Sequence, residues 1–137
     1  MNNDNMRDLA LVRYERSKEL LDEAKTLLEN ESYKSANNRA FYSAEKAVKA
    51  VLATIGKDSG SHIGLIRTFN QEFVHSQNEY FDQFDLRRLQ AMERVRNSSH
   101  YDDFYITSKS ECENQVNEAR ELLEKVERFL KANDIIK

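Results

Sequence analysis

Not one of the 137 residues is proline, and the three glycines, Gly56, Gly60 and Gly64, fall inside one short stretch. Strand-rich domains need many turns, and turns depend heavily on these two residues for their backbone geometry. A chain this poor in both has few places to reverse, so long helices joined at one principal loop follow. The length suits one domain with one continuous core. No low-complexity linker, composition shift or internal repeat divides it. The expectation is a single domain over residues 1–137, all-α, an antiparallel up-down bundle of about five helices.

Apolar spacing places the elements. A first helix is expected from Met6 to Glu29, with Leu20, Leu21, Ala24, Leu27 and Leu28 on its buried face. After a polar turn, Asn30 to Ser32, a second helix carries Ala36, Ala40, Phe41, Ala44, Ala47, Val48, Val51, Leu52 and Ile55 in a wide stripe. So many alanines imply close approach to a neighbour, and Gly56 is a natural stop because it tolerates the left-handed conformation. Ser61 reads as the N-cap of a third helix with Ile63, Ile66, Phe69 and Phe73 inward. His75 to Asp82 reads as loop, and a fourth helix spans about Gln83 to Ser99 through Leu89, Met92 and Val95. Ser108 and Glu111 have capping-box spacing at the start of a fifth. There Cys112, Val116, Ala119, Leu123, Val126 and Leu130 form the seam of an antiparallel bundle or of a helical dimer.

The formal net charge is −3, so no global field draws the chain to nucleic acid or an anionic membrane. The first eight residues are polar and lack the apolar core of a signal peptide, and no apolar run approaches the ~20 residues needed to span a bilayer. With one cysteine, Cys112, no internal disulfide forms, and a cytoplasmic location is expected. His62, His75 and His100 show no metal-ligand spacing, and the glycine stretch lacks the ending of a phosphate loop, so neither metal nor cofactor is expected. Cys112 sits on an apolar seam and reads as core.

One stretch differs. RVRNSSHYDDFY, Arg94 to Tyr105, joins a helix end to a loop, and with Arg87 and Arg88 it makes a local positive patch. Arg96 continues the inward face of Leu89 and Met92, whereas Arg94 points to the other side. Arg96 and His100 stand at i, i+4, side by side if the helix persists that far. An inward arginine needs a partner or a wet groove. A structural salt bridge, to Asp102 or Asp103, is one reading; a functional groove is the other.

The run SYKSANNRAFYSAEKAVKAVLATIG resembles the second helix of HEPN-domain proteins. SGSHIGLIRTFNQEFV is similar to their next loop and helix, RNSSHYDDFY to their signature region, and NEARELLEKVERFL to their last helix. The resemblance implies an antiparallel helical bundle that dimerises. For many members it also implies metal-independent endoribonuclease activity through an Arg-x(4–6)-His motif from each subunit. Other members are toxin–antitoxin partners of a small nucleotidyltransferase, or binding modules. Arg94 and His100 satisfy the motif spacing, while Arg96, followed by Asn97, fits its context with three residues before His100. In one HEPN subfamily the run is Arg-x-x-x-Asp-Tyr, and here His100 replaces the acid before Tyr101.

Two functions are therefore expected. In the first, His100 from each of two subunits moves protons during RNA cleavage. Arg96 or Arg94 stabilises charge on the phosphate, and Asn97, Ser99, Tyr101, Arg39 and Tyr42 bind RNA or nucleotide. In the second, the same groove recognises RNA or a nucleotide without catalysis, or serves a nucleotidyltransferase partner.

Overall fold

The computed structural model describes residues 3–58, 60–101 and 106–137; the side chains of His100 and Tyr101 lie outside that description. Among the described residues five α-helices follow in order: α1 (Asn3–Glu29), α2 (Tyr33–Ala53), α3 (His62–Phe69), α4 (Gln83–Tyr101) and α5 (Lys109–Ala132). One turn of π-helix, Asn70–Val74, extends α3. Among the described residues there is no strand, and no helix is long and apolar enough to cross a membrane.

Cross-helix contacts fix the directions. Ser17 bonds Ser43, and Arg13 bonds the Lys49 carbonyl, so α1 and α2 run antiparallel. Tyr14 donates to Glu127 and Arg7 to the Asp134 carbonyl, while Gln115 donates to the Met92 carbonyl and Arg88 to Glu121, so α5 runs antiparallel to both α1 and α4. The result is the expected up-down arrangement. The alanine stripe explains the tight α1–α2 pairing. Ala36, Ala40, Ala44 and Ala47 are fully buried, and the two backbones come so near that each serine hydroxyl donates to the other serine's carbonyl, at 2.7 and 2.8 Å.

The expected ends are found. Gly56 takes φ +70° just past α2, which halts the helix. Ser61 and Ser108 accept from the backbone N–H three residues on, each at 3.0 Å, and so cap α3 and α5. All six α5 seam residues are buried, packed within this chain against α2. That seam is the interior of the bundle, so it offers no surface to a second copy. At the far end Phe69, Phe73, Phe81 and Phe129 meet largely edge to face, with centroids 5.2 to 6.1 Å apart.

Three expectations need correction. Ile63 is 72% exposed; Leu65 takes the inward place, because the helix starts at His62 and its first turn leaves Ile63 in solvent. Ile55 is exposed as well, since α2 ends before it. The fourth helix does not stop at Ser99 but continues through Tyr101.

Candidate functional site

The face between α2 and α4 changes character along its length. Where Val48, Leu52 and Leu89 lie it is apolar and closed. Toward the N-terminal end of α2 it becomes a ladder of polar and aromatic rungs. On α2, Asn37, Phe41 and Glu45 recur every four residues, which stacks them on one helix face. Their counterparts on α4 are Ser99, Arg96 and Glu93, met in reverse order because the helices are antiparallel.

The innermost rung is an amide on a hydroxyl. Asn37 Nδ2 donates to Ser99 Oγ at 2.8 Å, and Ser99 Oγ lies 3.1 Å from Thr107 Oγ1. Ser99 is only 1% exposed, so its hydroxyl serves the fold rather than reaching outward to a phosphate. The middle rung is a cation on rings. The Arg96 guanidinium lies 5.0 Å from the Phe41 centroid and 5.5 Å from that of Tyr42. The negative faces of the two rings help an inward arginine to keep its charge there.

The outer rung joins three elements. His62, the first residue of α3, reaches between the helices with Nδ1 3.1 Å from Glu45 Oε2. Its Nε2 lies 2.9 Å from Glu93 Oε2, in ion-pair range without the direction of a good hydrogen bond. The imidazole rests 5.1 Å from the Phe41 centroid, so Phe41 supports both His62 and Arg96. Burial pushes the Glu45 carboxyl up. The hydrogen bond from His62, the charges of Lys49 and His62, and last the Arg96 guanidinium together outweigh burial and hold it below the usual glutamate value.

The remaining expected site residues are dispersed. Arg94 projects from the other side of α4, into a groove of about 330 Å³ between α4 and α5 that Phe84, Arg87 and Val95 also line. Arg39 is half exposed and pairs with Glu23 of α1 at 3.4 Å. Tyr42 and Asn97 are partly buried at the ladder's edge. The backbone of His100 and Tyr101 continues α4, so Arg96 and His100 stand one turn apart on an unbroken helix. Asp102 and Asp103, the salt-bridge partners expected for Arg96, lie outside the described residues. Cys112 is buried, with its thiol pushed up to about 11 chiefly by burial, as befits a core cysteine.

Sequence reasoning misses the outer rung. It weighs His62 as a metal ligand and does not single out Glu93. The available signal is the four-residue spacing of Asn37, Phe41 and Glu45, a polar and acidic row within an alanine-rich stripe.

Residues 10–129 match the family described as HEPN domain. The chain belongs to that family. A UPF0332 protein of Thermotoga maritima is 44% identical over 59 residues, which cover 43% of this chain and 45% of that protein. The chain thus spans under half the length of that relative. "Putative toxin MJ0605" of Methanocaldococcus jannaschii is 28% identical across 94% of both chains. Among solved structures, TT1696 from Thermus thermophilus superposes with a TM-score of 0.72 at 17% identity, over 87% of this chain and 96% of that one. That likeness is one of fold.

Proposed function

We propose that this HEPN protein acts on RNA as a toxin-type, metal-independent endoribonuclease and that it works as a homodimer. The observation that carries this reading is the placement of Arg96: a guanidinium seated on Phe41 and Tyr42, one helical turn before His100 on a helix that runs through Tyr101. The toxin name of a relative aligned over 94% of both chains supports it.

The chemistry needs few groups. One histidine takes the proton of a 2′-hydroxyl, whose oxygen attacks the adjacent phosphorus. The bond to the 5′-oxygen breaks, that oxygen collects a proton from a second histidine, and a 2′,3′-cyclic phosphate is left. An ordinary imidazole titrates near pH 6.5, so it serves in either role. One subunit brings one His100, and the second comes from the partner copy. Arg96 meets the charge that develops on the phosphate oxygens with its planar fork of donors.

The test is cleavage of single-stranded RNA in EDTA. His100→Ala should lower the rate by at least about a hundredfold, the usual worth of a positioned proton carrier, with the helical signal intact. Arg96→Ala should slow turnover more than Arg94→Ala, because Arg94 faces the other groove. Equal rates for wild type and His100→Ala would remove the catalytic role. A second reading, a non-catalytic binding module, would use the same arginine and aromatic rings for recognition alone. RNA binding lost at high salt, with no cleavage, would put that reading in its place.

A further inference from the structure

We propose that the groove between α4 and α5 is a docking surface for an amphipathic helix of another protein, one with carboxylates seven residues apart along an edge of its apolar face.

The groove encloses about 330 Å³, with Phe84, Ala91 and Val95 on its α4 wall and the buried Met92 at its floor. Positions 84, 91 and 95 are seven and four residues apart, so they share one helix face. Phe84 is 52% exposed, whereas Phe41, Phe69, Phe73, Phe81 and Phe129 are all buried. In line with it stand an exposed alanine and a half-buried valine, an apolar strip that the bundle itself does not cover.

The charges along this strip do not balance. Of the four charged residues that line the groove, Arg88 and Glu118 are paired, at 2.6 Å. Arg87 and Arg94 are exposed, and among the described residues they make no ion pair. They are seven residues apart on α4, which puts them about 10.5 Å from each other along one edge of the strip. A second helix laid in the groove repeats that interval. Carboxylates at its i and i+7 positions meet both arginines at once, while the apolar residues between them fill the strip. The occupant has to be helical, because α4 and α5 have spent their backbone groups internally and leave an extended segment's N–H and C=O groups without partners. RNA suits the groove less well. The Phe84 ring already carries the Arg88 guanidinium, 4.6 Å from its centroid, and Glu118 on the α5 side repels phosphate. Arg96 projects from another side of α4, so a docked helix leaves the ladder between α2 and α4 uncovered.

The probe is a fluorescent synthetic peptide of about twenty residues, long enough to form a helix. It carries leucines along one face and two glutamates seven residues apart on the edge of that face. Fluorescence anisotropy should show micromolar binding to wild type. The double variant Arg87→Glu with Arg94→Glu should bind at least about tenfold more weakly, since like charges then face one another. Both arginines are exposed, so the helical signal should not change. A peptide with lysines in place of the two glutamates should reverse the order and prefer the double variant. Ala91→Gln, which sets an amide in the strip without altering charge, should weaken the glutamate peptide as well. In nitrogen-15 spectra that peptide should shift the amides of Ala91, Val95 and Asn114. A glutamate peptide that does not bind, a charge reversal that moves neither affinity, or shifts confined to another face overturns the proposal. Loss of oligoribonucleotide binding but not of peptide binding in the double variant would make the groove a nucleic-acid surface and overturn it too.

Discussion

Arg88 and Arg96 lie on the same helix, and both are drawn inward, yet their surroundings give them different work. Arg88, 9% exposed, is matched by Asp85, by Glu118 at 2.6 Å and by Glu121 at 2.8 Å, and it lies against the Phe84 ring. Asp85 in turn contacts Lys125. Such an arginine is a fastener between α4 and α5. Arg96 sits on two rings, within the field of Glu45. Replacing Arg88 with alanine leaves the fully buried Asp85 with Lys125 as its remaining cation, and takes from Glu118 and Glu121 the guanidinium they share. The cost should be about 2 kcal/mol after discounting for the partly exposed glutamates, read as a lower urea midpoint. RNA binding should change little. Arg96→Ala should show the reverse, a small stability change and a large loss of binding. If Arg88→Ala abolished binding at unchanged stability, the division of labour between the two would be wrong.

At the scale of elements, the second helix sets the geometry of the site, and its small residues are the reason. Ala44 is fully buried on the inward side of α2, next in sequence to the Ser43 that bonds Ser17 of α1. Ala44→Glu forces a carboxylate into a gap with no room for it, and should cost at least about 3 kcal/mol. Thermal melting followed by circular dichroism checks this; an unchanged midpoint would mean that the helices are not closely paired there. Helices are legible in the sequence because period and caps are local. The Cys112–Leu130 seam, the Gly56 stop and the Ser61 and Ser108 caps all stand where spacing puts them. Ile63 is misplaced by spacing because a two-turn helix contains too few apolar positions to fix its phase. For the site, helix spacing brings out Arg96 and its separation from Arg94. His62 stays hidden because it is 17 residues from Glu45 and 31 from Glu93 along the chain, and only the return of α4 along α2 unites them. Ser99 reads as a ligand contact because a serine near an arginine looks the same in sequence whether it faces water or Asn37.

For the whole molecule, the α5 seam lends no support to self-association, since α2 already covers it. A homodimer is required instead by the proposed chemistry, which calls for two proton carriers where each chain supplies one His100. Light scattering at micromolar concentration should therefore return about twice the 16.1 kDa chain mass. A monomer at every concentration where RNA is cleaved would eliminate the shared-site mechanism and leave a single-histidine one to be found.

The rungs between α2 and α4 are chemically unlike one another, and this makes the pair of helices sensitive to sliding. In a uniform apolar interface, a shift by one helical turn, about 5.4 Å, exchanges one set of methyl groups for another. Here the same shift in one direction brings Arg96 from its rings onto Glu45; in the other it meets the Asn37 amide. Either displacement also detaches Ser99 from Asn37 and His62 from Glu93. The interface thus behaves as a vernier with one setting at which every mark coincides, and at that setting alone Arg96 lies on the aromatic face. Whatever moves α4 lengthwise, whether a bound strand, a partner chain or a change in the loop that follows it, acts on the arginine as a ratchet acts on its pawl.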